Sequence, residues 1–122
     1  MSTFTNLKKD LRKFERPEKA KALRWFFKTG KGEYAEGDEF LGLKTDETRS
    51  VAARYKDIKY KDIKKLLASQ IHEERMTAVV ILVNRSKKGN INIKKEVYEF
   101  YLKNLSGINN WDLVDISAPK II

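Results

Sequence analysis

Apolar residues return every third or fourth position along most of the chain, the repeat of a helix that buries one side. In residues 2–15, Phe4, Leu7, Leu11 and Phe14 keep this spacing with lysines and arginines between them, which predicts an amphipathic helix. Pro17 stands where a first-turn proline is tolerated and opens a second helix carrying Ala20, Leu23, Phe26 and Phe27, closed by Thr29-Gly30. The two are expected to pair as a hairpin. Residues 29–46 hold glycines at 30, 32, 37 and 42 among Tyr34, Phe40, Leu41 and Leu43. Such anchors need a hydrophobic pocket, so this is read as an ordered loop and not a linker.

Asp46-Glu47 or a neighbour is expected to cap the next helix, which carries Val51, Ala52 and Tyr55. A shorter helix over 61–69 follows, with Ile63, Leu66 and Leu67 on its apolar side. Residues 70–85 are apolar around most of the circumference and predict the most buried helix; its stretch from Val79 to Val83 also has strand character, but the length and the flanking Glu73-Glu74-Arg75 favour helix. Gly89-Asn90 marks a turn, Ile93, Val97, Phe100, Tyr101 and Leu102 mark another helix, and a last one begins near Trp111. The pattern predicts an all-α chain of antiparallel helical hairpins, stacked as a solenoid or an irregular bundle. No sequence repeat is apparent.

At 122 residues, 41% of them hydrophobic and 35% charged, the chain is expected to form one all-helical domain over 1–122, or the N-terminal part of a longer one. The formal charge of +9 favours a polyanionic partner, nucleic acid first, although basic charge also serves solubility alone. The absence of cysteine excludes disulfides and thiolate metal sites. The charged residues following Leu7 leave no room for a signal-peptide core, and the apolar run from Ala78 to Val83 is far below the roughly 20 residues of a membrane-spanning helix. A cytoplasmic location without membrane attachment is the expectation.

His72-Glu73-Glu74-Arg75 contains the single histidine, and Met76 stands where a helix zinc motif would need a second. These residues are expected to hydrogen-bond between helices or cap neighbouring turns, with Arg75 pairing to one of the acids. Gly30-Lys31-Gly32-Glu33 follows a helix and lacks the lysine–serine/threonine ending of a phosphate loop, so it indicates no nucleotide site. Trp111 and Asp115 are four apart in a helical segment that Asn109-Asn110 can cap, and so project from one face about a turn apart. An indole face beside a carboxylate is complementary to positive charge. The same stretch also reads as core, with Trp111, Leu113, Val114 and Ile116 inside and the aspartates at the surface.

Three stretches resemble a known family. Phe26-Phe27-Lys28-Thr29-Gly30-Lys31-Gly32-Glu33-Tyr34 with Gly37-Asp38-Glu39-Phe40-Leu41-Gly42 is similar to the N-terminal loop of the DNA alkylation-repair glycosylases built of HEAT-like helical repeats. Ile71-His72-Glu73-Glu74-Arg75 is similar to that family's buried helix start, and Asn109-Asn110-Trp111-Asp112-Leu113-Val114-Asp115 to its catalytic corner, all in family order. The resemblance implies a HEAT-like solenoid, duplex DNA as partner, and excision of positively charged N3- or N7-alkylated purines with no metal or cofactor. It implies Trp111 and Asp115 as the catalytic pair. Lys28, Lys31 and Tyr34 are the candidates for a DNA-facing loop.

Family members continue past this motif with a further arginine and a second tryptophan, so a chain stopping at Lys120-Ile121-Ile122 is expected to supply half of the site. Trp111, Val114, Ile116, Ile121 and Ile122 would then form an unfinished apolar edge, covered by a second copy or a partner that completes the stack. A non-enzymatic helical-repeat module binding nucleic acid or protein is the alternative reading.

Overall fold

A computed structural model describes residues 3–26, 39–104, 108 and 111–121, with the backbone but not the side chains at 26, 111, 112, 115 and 116. These residues form seven helices: α1 (Thr3–Arg12), α2 (Pro17–Phe26), α3 (Thr45–Arg54), α4 (Tyr60–Leu67), α5 (His72–Lys88), α6 (Ile91–Lys103) and α7 (Trp111–Ile121). Among the described residues the extended pairing is a single bridge between Glu39 and Ile71. The chain is all-helical, as its periodicity predicts. None of these helices is long and apolar enough to cross a membrane.

α5 is the axis of the packing, with α3, α4, α6 and α7 all lying against it. Every residue from His72 to Val83 is buried. The β-branched run Val79, Val80, Ile81 and Val83 is helical because burial outweighs propensity: a buried Val or Ile gains about 1.5–3 kcal/mol, whereas its helix penalty stays below about 0.7 kcal/mol. α4 contributes Ile63, Leu66 and Leu67 to the core, α3 Val51 and Ala52, α1 Leu7 and Leu11, and α6 Val97 and Tyr101.

α1 is shorter than its pattern, ending at Arg12, and packs chiefly on α3 rather than forming a close hairpin with α2. Asp10 explains that preference: it accepts from the Tyr55 hydroxyl and lies 3.3 Å from Arg54 at the end of α3. The Tyr55 hydrogen bond is the main cause that holds the Asp10 carboxyl below its ordinary range. α2 is tied instead to the 39–44 segment, with the Arg16 N–H donating to Leu41 O at 2.7 Å.

At the α5–α6 turn, a Cβ on Gly89 would lie 2.7 Å from the Arg85 carbonyl and 2.5 Å from the Ile93 side chain. Asn90 caps α6 by accepting from Ile93 N–H at 3.0 Å. α6 turns much of its surface outward: Ile91 is 81% exposed, and Ile93 and Leu102, which helped to mark the helix, are partly exposed with Tyr98. Of the apolar edge expected at the end of the chain, Ile121 is buried and Val114 half-buried. Trp111 and Ile116 have no described side chain, and Ile122 lies outside the described residues.

Candidate functional site

The first turn of α5 carries a carboxylate clamp. Glu73 Oε1 accepts from Leu41 N–H at 2.9 Å, and its Oε2 accepts from Gly42 N–H at 2.9 Å and Leu43 N–H at 3.3 Å. Phe40, Leu41 and Leu43 are buried, so the segment enters the core and its amides need an internal acceptor. A helix N-terminus favours negative charge, which also suits Glu74, buried alongside with Oε2 accepting no hydrogen bond.

Gly42 makes the turn that aims these amides at Glu73. Its φ is +86, and a Cβ there would come 2.3 Å from Arg16 O and 2.9 Å from Ala20 N, so both the conformation and the space require glycine. On the outer side, the Arg16 guanidinium grips Glu47 through two bonds, of 2.5 and 2.7 Å. Glu47 also accepts from Lys44 N–H at 2.8 Å, reaching back over the first turn of α3 as the third residue of a capping box does. The cap expected near Asp46 is thus built on Lys44 and Glu47. The Arg16 bond first, then the Lys44 amide, depress the Glu47 carboxyl from 4.5 to about 2.

Glu39 pairs on both sides of Ile71, donating its N–H to Gln70 O and accepting from His72 N–H, each at 2.8 Å. The His72 ring stacks on Phe40 with centroids 4.8 Å apart. Arg75 donates to Ser69 O at 2.8 Å, a bond that closes the α4–α5 turn.

α6 starts just after α5 ends and packs against it, and α7 packs against both. α7 is fixed by Leu113 and Ser117, both fully buried, and Ser117 Oγ lies 2.9 Å from the Tyr101 hydroxyl of α6. Trp111 and Asp115 both fall within α7, one turn apart. At about 100° per residue, positions 111 and 115 lie roughly opposite the face that Leu113 buries. Pro119 has no N–H, so the carbonyl of residue 115 receives no intrahelical bond from position 119.

Lys28, Lys31 and Tyr34 lie outside the described residues. On the far side of them in sequence, Glu39 lies beside the first turn of α5. The sequence does not predict the Glu73 clamp; it predicts only that residues 72–75 hydrogen-bond between helices or cap neighbouring turns. The signal available was a lone glycine inside the apolar run Phe40-Leu41-Gly42-Leu43.

The far end of α5 differs. Arg85 donates to Lys56 O at 3.0 Å and to Ile58 O, and its guanidinium lies over the Tyr60 ring, 5.0 Å from the centroid. An open cavity of about 460 Å³ lies here, with Lys56, Asp57, Lys88 and Glu96 in its wall. Burial, followed by its hydrogen bond with Glu96, pushes the Tyr60 hydroxyl pKa up. No group of three or more His, Cys, Asp or Glu among the described residues is placed to hold a metal ion.

Among known proteins, a family model described as DNA alkylation repair enzyme matches residues 7–122. No curated protein and no solved structure matches.

Proposed function

The chain belongs to the DNA alkylation repair enzyme family, and from that membership we propose that it acts as a glycosylase on positively charged N3- or N7-alkylated purines in duplex DNA. The match runs through the 109–115 motif, where α7 sets Trp111 and Asp115 one turn apart; this is the observation that supports the reading.

The chemistry asks little of the protein, because the alkylated base already carries a positive charge and leaves well. As the C1′–N bond breaks, its electron pair neutralises the departing base and positive charge grows on the deoxyribose. The Asp115 carboxylate stabilises that charge electrostatically, and the Trp111 π face adds to it. Water then bonds to C1′ and gives up its proton, with the carboxylate orienting it. In this reading Lys28, Lys31 and Tyr34 face the DNA. The net charge of +9 supplies the long-range attraction.

The test is release of 7-methylguanine from duplex DNA. Asp115→Asn is expected to lower the rate by about a hundredfold or more while DNA affinity stays within twofold or so. Salt-dependent DNA binding by the wild-type chain with no base release would replace this reading with the non-enzymatic module.

A further inference from the structure

A chain of buried hydroxyls runs from α6 into the back of α7. Ser117 Oγ donates to Leu113 O at 2.6 Å, one turn earlier, and lies 2.9 Å from the Tyr101 hydroxyl. A serine hydroxyl has one proton and the Leu113 carbonyl takes it, so the Tyr101 hydroxyl is the donor of the second bond. The direction is thereby fixed, from Tyr101 through Ser117 to Leu113. Ser117 and Leu113 are fully buried and Tyr101 nearly so, which leaves water little chance to replace either bond.

This chain acts where the backbone ladder of α7 is interrupted. Pro119 supplies no N–H to the carbonyl of residue 115, and a serine bonded back to the fourth residue before it tends to bend a helix. Leu113 packs by contact, which tolerates a small turn of the helix, whereas a hydrogen bond is directional. The consequence reaches the other side of α7, where positions 111 and 115 lie. A side-chain tip stands about 6 Å from the helix axis, so a turn of ~10° displaces it by about 1 Å, an error that can cost roughly a hundredfold in rate.

Resting on the glycosylase reading above, we propose that Tyr101 and Ser117 are positioning residues for the reaction: they set the rotation of α7, and with it the placement of Trp111 and Asp115, without touching DNA.

Tyr101→Phe removes the donor and keeps the ring in the core. Release of 7-methylguanine is followed with the protein in saturating excess over the duplex, well below the thermal midpoint of each variant, and DNA affinity is measured beside it. Tyr101→Phe is expected to slow release by about tenfold with affinity kept within about twofold. Ser117→Ala should slow release at least as much, and adding Tyr101→Phe to it should slow release no further, since the same chain is already cut. Residues that only stabilise the fold would leave the rate of the folded protein unchanged. Wild-type release in Tyr101→Phe, a loss matched by an equal loss of affinity, or losses that multiply in the double variant overturn the inference and leave the repair reading standing. A wild-type chain that binds the duplex and releases nothing overturns the repair reading and the inference with it.

Discussion

The two ends of α5 solve the same problem with opposite charges. At the N-terminal end the Glu73 carboxylate gathers three backbone N–H groups of residues 41–43; at the C-terminal end the Arg85 guanidinium gathers the carbonyls of Lys56 and Ile58. Each charge complements the helix dipole at its own end, and each fastens a turn of chain that the helices alone would not hold. They differ in exposure. Glu73 is buried, whereas Arg85 is half-buried beside an open cavity of about 460 Å³.

The strongest way to break this contrast is Glu73→Ala, which leaves three inward-facing amides without an acceptor. The expected loss is about 3 kcal/mol or more by urea unfolding, a large part of the roughly 5–15 kcal/mol that such a domain has in total. Arg85→Ala should cost less, about 1–2 kcal/mol, because water can reach the freed carbonyls. A larger loss at Arg85 than at Glu73 would invert the comparison.

The smallest effect is expected from the exposed side of the clamp, where Arg16 grips Glu47. With the Glu47 carboxyl held at about 2 against an ordinary 4.5, the pair's stabilisation is complete above 4.5 and fades as pH falls towards 2. The difference in unfolding midpoint between wild type and Glu47→Gln should therefore be greatest near neutrality and shrink on acidification. Part of this pair faces solvent, which keeps its worth small.

What the sequence disclosed was local. The spacing of Ile63, Leu66 and Leu67 places α4, and the apolar length of 70–85 with its flanking Glu73-Glu74-Arg75 places the central helix, because both are local properties of the chain. In the sequence Glu73 is only a polar group near a helix start, since its partners lie 30–32 residues earlier and no periodicity points to them. Ile93 and Leu102 show the converse: their spacing marks a helix correctly but does not say that part of its apolar surface stays in water. For the candidate site, the sequence supplied the motif and its turn-apart spacing, and the fold supplied α7 to carry it. That α7 packs on both α5 and α6 depends on contacts between distant stretches of chain, which motif spacing does not encode.

The clamp also sets an order of assembly. α4 with α5, and α5 with α6, are neighbours in sequence and can meet by closing short turns. The Glu73 bonds to 41–43 enclose all of α3 and α4, and such a long closure carries an entropy cost that local pairing avoids. The carboxylate is therefore expected to collect its three amides after the local pairs have formed. A clamp that closes late locks the first turn of α5 to residues 41–43 on a framework already standing.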